Sequence, residues 1–329
     1  MPAATTAAPG LAARALLVLL AGGLLLLVLL GEVPGAGKWT SELGNAAHGP
    51  AFAALTWIVF GLLRHRRSGS RSVPADAVIA VIVATVLGVA TELLQLRLGR
   101  DASWGDLGHD ALGALAASGF IVAARHRGRQ PESGVVLRRT GLVAGGLCAA
   151  VVLAPAAVTG AAYFMRWLTF PTLVDFSSPL SLYFLSSWGH VTVGRQPVPP
   201  ASTDRESGDM ALRVQLVPRR HWTVAFWEPR PDWRRYGSLN IDLVNPTDAP
   251  LLLTVWIRDW SQEALHDAGF RGTIRVPPRA RSVTPIPVAV LPAGTGRTRV
   301  DPARVHSVLL TRTRTNEAAE FYVMGLWLE

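Results

Sequence analysis

The chain of 329 residues holds a single cysteine and a single lysine. Cys148 cannot build a disulfide framework or a thiolate metal site, and its place in an apolar run suits a small buried residue. No phosphate loop, no G-x-S-x-G elbow and no H-E-x-x-H pair occurs, which removes the sequence basis for P-loop, serine-elbow and zincin chemistry. Charged residues make up only 17% of the chain, against 50% hydrophobic, and are sparse before residue 170. The formal charge is +9, yet its distribution argues against a polyanionic partner, and no nucleic acid is expected.

That distribution is the first positive signal. Arg64, Arg66, Arg67 and Arg71 form one group, and Arg125, Arg127, Arg129, Arg138 and Arg139 a second, each between apolar stretches. Membrane proteins mark their cytoplasmic loops in this way. Five apolar stretches, roughly 11–31, 47–63, 76–96, 107–124 and 140–163, approach the ~20 residues that a bilayer crossing needs. The first resembles a signal peptide, with Arg14 ahead of a leucine-rich core, but the core is long and further spans follow, which favours an uncleaved helix. With both arginine groups inside, the N-terminus is cytoplasmic and the second half extracytoplasmic. Trp39, Trp104 and Trp167 then fall at the outer boundary, as an aromatic belt would.

The stretch from Glu92 to Gly113 is crowded with ionisable residues where hydrocarbon should meet water. Carboxylates at that depth are costly unless paired or used, so the cluster is a candidate site. Glu92 and Gln95 share one face near the outer end of the third helix; Asp106 and Asp110 share one face at the outer start of the fourth. Gly113 and Ala117 continue a small-residue stripe that lets a neighbouring helix approach. His48, expected at the outer start of the second helix, lies at the same depth. Two readings stand. The cluster is an interhelical hydrogen-bond knot, with Asp106 stabilising a helix N-terminus and Arg100 paired with Asp101 or a lipid headgroup. Alternatively Glu92 or Asp110 is a general acid/base assisted by His48, with Gln95, Arg100 and Asp106 binding substrate and Arg100 holding a phosphate. No resident cofactor is expected, although Glu92, Asp106, Asp110 and His48 would also suit a divalent cation.

The pattern Glu92-x-x-Gln95, a loop with Arg100, then Asp106-x-x-x-Asp110-x-x-Gly113 resembles the VanZ-like membrane proteins over about residues 35–125. That family commonly has Asp-Lys before the earlier His, where this chain has Gly44-Asn45, and Asn where it has Asp110. The resemblance implies an envelope protein; the family's namesake is associated with low-level resistance to the glycopeptide teicoplanin.

From about residue 170 the period changes to two. ALRVQLV, WTVAFW, SLNIDLV, LLLTVWI, SVTPIPVAV and EFYVMGLWLE alternate apolar side chains between turn residues, which predicts an all-β jelly-roll sandwich. The predicted fold is thus an α-helical polytopic membrane bundle of about five helices (1–168) followed by an extracytoplasmic sandwich (169–329). Asp175-Phe176, Gly208-Asp209-Met210-Ala211-Leu212, Asp232-Trp233, Asn245-Pro246, Arg258-Asp259 and Phe321-Tyr322 follow an order similar to that in galactose-binding-like carbohydrate-binding modules. Met324 stands where such modules often carry Asp, a departure at a common structural metal site. Strand tryptophans usually fill cores, so Trp222, Trp256 and Trp327 are assigned inward. Trp227, Asp259 and Trp260, next to turns, are the candidate glycan-binding residues.

The expectation is a multi-pass cell-membrane protein of the envelope whose partners are the lipid bilayer and a cell-wall or surface glycan or a lipid-linked precursor. Two alternatives remain open: an enzyme doing acid–base or phosphoryl chemistry on a lipid-linked envelope precursor, and a structural anchor displaying a protein-interaction sandwich.

Overall fold

Serine and proline set where the middle helices begin. The Ser72 hydroxyl accepts the Ala75 amide at 3.4 Å with Pro74 in the first turn of the next helix, and the Ser103 hydroxyl accepts the Gly105 amide at 3.0 Å. Such caps satisfy amides that the first helical turn leaves without an internal partner. In the computed structural model the helices are α1 (Pro9–Leu30), α2 (Lys38–Arg66), α3 (Val73–Arg97), α4 (Trp104–Arg125) and α5 (Glu132–Thr169). The structure describes residues 9–31, 37–66, 72–99, 103–126, 132–198, 209–217, 220–262, 268–312 and 318–329. Arg67, Arg71, Arg127, Arg129 and Gly208 lie outside the described residues.

All five helices are long and apolar enough to cross a membrane. They outrun the predicted apolar stretches, most of all α2, which starts at Lys38 rather than 47, and α5, which continues to Thr169 rather than 163. Hydropathy marks the apolar part of a helix, whereas the hydrogen-bond ladder continues through polar residues once begun.

The chain divides into two compact units, Met1–Gly160 and Ala161–Glu329. In the first, glycines set the helix spacing. A β-carbon on Gly113 of α4 would lie 2.1 Å from the Gly49 carbonyl oxygen of α2, and one on Gly119 would lie 2.6 Å from the Gly141 oxygen of α5. Backbones this close are the hallmark of small-residue packing between apolar helices. Arg64 of α2 and Asp76 of α3 pair at 3.1 Å.

The second unit contains β1 (Thr172–Val174), β2 (Leu185–Gly189), β3 (Val191–Pro197), β4 (Met210–Leu216), β5 (Trp222–Trp227), β6 (Ser238–Asn245), β7 (Leu251–Asp259), β8 (Phe270–Val276), β9 (Ala280–Pro287), β10 (Val305–Arg312) and β11 (Glu320–Leu328). One antiparallel sheet runs β3-β4-β11-β6-β9, with β1 also on β11; the other runs β2-β5-β10-β7-β8. Together they make a β-sandwich, with one face of each sheet forming the core. Val224, Phe226, Val255, Ile257, Val308 and Leu310 supply one side; Leu212, Val214, Ile241, Leu243, Phe321 and Val323 supply the other. Trp222 packs 5.8 Å from Phe321 between ring centroids.

Two tryptophans depart from the inward assignment. Val255 and Ile257 take the core side of β7, which turns Trp256 to the outer face, where its indole N–H donates to the Ala268 carbonyl at 2.8 Å. Leu326 and Leu328 do the same to Trp327 on β11, which is only partly buried. Alternation fixes which residues share a face, but the core side is chosen by the whole strand.

Candidate functional site

Three helices of the first unit carry the polar cluster. His48 lies inside α2, well past its start at Lys38, so it is not at the helix end where it was expected. Its Nδ1 is 3.0 Å from Asp110 Oδ1 on α4. Glu92, near the end of α3, accepts the Ser103 amide on Oε2 at 3.0 Å and thereby ties α3 to the cap of α4. Ligand-capable atoms of His48, Glu92 and Asp110 all lie within 4.8 Å of one another. Glu92 is 7% exposed and Asp110 fully buried, yet Glu92 Oε1 and Asp110 Oδ2 have no hydrogen-bond partner.

Two other sequence-predicted members that the structure describes, Gln95 and Asp106, are not part of this triad of ligand-capable groups. Gln95 is buried and donates to the Val28 carbonyl of α1 at 3.2 Å, a contact that fastens α1 to α3. Asp106 is half-buried in the first turn of α4, its amide facing the Ser103 hydroxyl at 3.4 Å. Arg100 and Asp101 lie outside the described residues.

The sandwich carries a second candidate on the outer face of the β2-β5-β10-β7-β8 sheet. Trp222, Val224 and Phe226 point into the core, so Trp227 at the end of β5 points out. Trp188 on β2 lies nearly parallel to it, at 25° and 6.3 Å between centroids, and is 41% exposed. On β10 the pairing with β7 slips between Val305 and Ser307, so that one extra residue opposes Arg258 and Asp259. A bulge of this kind re-aims a side chain. It brings the His306 ring to 5.2 Å from Trp227 and 4.1 Å from Trp260. Four rings therefore run as one row: Trp188, Trp227, His306, Trp260. Glu228, next to Trp227, has a left-handed backbone with φ of +50°; its carbonyl accepts from Arg166 and its carboxylate from the Tyr163 hydroxyl.

A cleft of about 530 Å³ adjoins the end of the row and is lined by Asp259, Ser261, Gln262, Arg297, Arg299 and Asp301 among others. Its volume is in the range of small-ligand sites. Asp259 is 2% exposed. Its Oδ1 accepts the Ser261 amide at 2.8 Å and hydroxyl at 2.5 Å, and its Oδ2 accepts the Asp301 amide at 2.7 Å. Those bonds make it the builder of the turn that presents Trp260. Gln262 spans the cleft floor by donating to the Arg299 carbonyl at 2.5 Å.

Sequence reasoning singles out Trp227, Trp260 and Asp259 but neither Trp188 nor His306. A signal for His306 does exist: in Val305-His306-Ser307-Val308 two polar residues separate two core valines, one more than strict alternation allows.

No family model matches the chain, and no curated protein matches its sequence. Solved structures similar to its sandwich half include a family 11 carbohydrate-binding module from Clostridium thermocellum in complex with a β-1,3-1,4-mixed-linked tetrasaccharide. That module is 16% identical over 48% of this chain and 93% of its own, with a TM-score of 0.37. An exo-β-agarase is 13% identical over 48% of this chain and 24% of its own, TM-score 0.38. A family 61 carbohydrate-binding module in complex with β-1,4-galactotriose is 13% identical over 50% of this chain and 97% of its own, TM-score 0.28.

Proposed function

We propose that the chain is a multi-pass membrane protein of the cell envelope whose extracytoplasmic sandwich binds cell-wall or surface glycan. The observation that carries this reading is the aromatic row Trp188–Trp227–His306–Trp260, with its exposed Trp188 end and a polar cleft at its Trp260 end. A sugar ring lays its C–H face on an aromatic face while its hydroxyls seek hydrogen bonds. The row offers the first, and Ser261, Arg297 and Arg299 offer the second. Binding a glycan without turning it over requires no further chemistry.

The arrangement of the arginine groups supports a cytoplasmic N-terminus and an outward sandwich. The VanZ-like resemblance of residues 35–125 supports an envelope setting and links the reading to teicoplanin-type resistance.

The test is a titration of the purified full chain with peptidoglycan fragments, teichoic acids and neutral polysaccharides. At least one class should bind, and Trp227→Ala or Trp260→Ala should weaken it about tenfold or more, the loss typical of a central aromatic anchor. Absence of binding across the panel overturns the reading.

A second reading, acid–base or phosphoryl chemistry on a lipid-linked precursor, is favoured by the two unpartnered carboxylate oxygens of Glu92 and Asp110. Glu92→Gln and Asp110→Asn variants that accumulate normally but lose turnover of such a precursor would establish it.

A further inference from the structure

Buried carboxylates normally have every oxygen engaged, because an unpaired charge in a low-dielectric interior is costly. Here two carboxylates from two helices meet with one imidazole from a third, and one oxygen of each is orphaned. Glu92 Oε1 and Asp110 Oδ2 are the orphans; Glu92 Oε2 is held by the Ser103 amide and Asp110 Oδ1 faces His48 Nδ1 at 3.0 Å. With both carboxylates ionised the pair carries a charge of −2, which a divalent cation between them would offset.

The surrounding backbone explains why no side chain fills the gap. A β-carbon on Gly88, one turn before Glu92 on α3, would lie 2.9 Å from Asp110 Oδ2. Gly113, three residues after Asp110, sits against Gly49, the neighbour of His48, with no room for a β-carbon. The donors thus stand on three helices held close by glycine. α2 and α4 touch backbone to backbone at Gly49 and Gly113, and Gly88 lets α3 lie against the Asp110 side chain, the kind of support that pre-organises a binding site.

We infer that His48, Glu92 and Asp110 form a site for one first-row divalent cation of the zinc or manganese class. Donors about 2.1 Å from a common ion stand roughly 3–4 Å apart, and the three groups here already lie within 4.8 Å of one another. One imidazole with two carboxylates suits zinc, iron or manganese better than calcium or magnesium, which favour all-oxygen shells, or copper(I), which favours sulfur. The ion's charge of +2 balances the two carboxylates. Three protein donors leave a position for water or for an oxygen of an incoming group, as in metal sites that stay open.

The experiment uses the full chain purified in detergent, stripped with EDTA, reloaded with Zn²⁺ or Mn²⁺ and desalted, with bound metal measured by mass spectrometry. Wild type should retain about one equivalent, and His48→Gln, Glu92→Gln and Asp110→Asn should each weaken retention by about tenfold or more, while Cys148→Ser should not. Wild type that retains neither metal overturns the site, as do Glu92→Gln and Asp110→Asn variants that both retain it with unchanged affinity. If a variant does not accumulate, X-ray absorption of the zinc-loaded wild type decides. A nitrogen and oxygen shell with one imidazole supports the site; a sulfur ligand or a shell without imidazole overturns it.

Discussion

Gly113 is small because its helix has a neighbour where a side chain would go. Gly113→Leu forces α2 and α4 apart and should cost roughly 1–3 kcal/mol or more, as overpacking does. The measurement is the thermal midpoint of the full chain, with Gly108→Ala as control, since a β-carbon there meets nothing within 4 Å. In the sandwich, Glu320 of β11 and Arg213 of β4 pair at 2.6 Å. Burial pushes the Glu320 carboxyl up, but the bonds from Arg213, Tyr322 and Gln215 outweigh it, so it titrates below its ordinary 4.5. The folded value is the lower one. The pair therefore stabilises the fold above the ordinary value, and that contribution fades as pH falls through the depressed folded value. Thermal midpoints measured from pH 6 downward should fall less steeply in Arg213→Ala than in wild type; equal slopes would show that the pair adds nothing to the acid limb.

At the scale of elements, β5 shows how one strand serves two purposes. Trp222 at its start faces the core and Trp227 at its end faces the aromatic row. Trp222→Ala should cost about 3–5 kcal/mol of stability through the cavity it leaves. Trp227→Ala should leave the thermal midpoint nearly unchanged and act on glycan affinity alone; equal destabilisation by both would place the row inside the folding core. The strands and the change of class near residue 170 were legible because alternation over seven or eight residues averages out local exceptions. The triad of His48, Glu92 and Asp110 was legible in part, as polar residues stand out in apolar helices. What could not be read was position along a helix, as for His48, whose helix begins in polar residues. Nor could the sequence decide the facing of Trp256, which its neighbours Val255 and Ile257 settle. His306 lay behind a bulge, a one-residue slip that alternation records only as noise.

For the whole molecule, labelling can check the topology proposed from the arginine groups. In a Cys148→Ser background, Ser68→Cys should react with an impermeant maleimide only after the inner face is opened, and Ser261→Cys should react in intact cells. The reverse pattern would turn the sandwich inward and remove extracellular glycan as its ligand. One further consequence lies in the order of the strands. β11 is the middle of its sheet: β4 and β6 meet only through it, and Thr172 near the start of the sandwich pairs with Trp327 on it. During synthesis the β3–β4 and β6–β9 pairs can form early, and the β2-β5-β10-β7-β8 sheet can close once β10 has emerged, but the β3-β4-β11-β6-β9 sheet is not continuous until β11 follows. Closure of that sheet is therefore a late event, and a chain cut short before β11 leaves β3–β4 and β6–β9 as two unjoined apolar half-sheets, open to proteolysis.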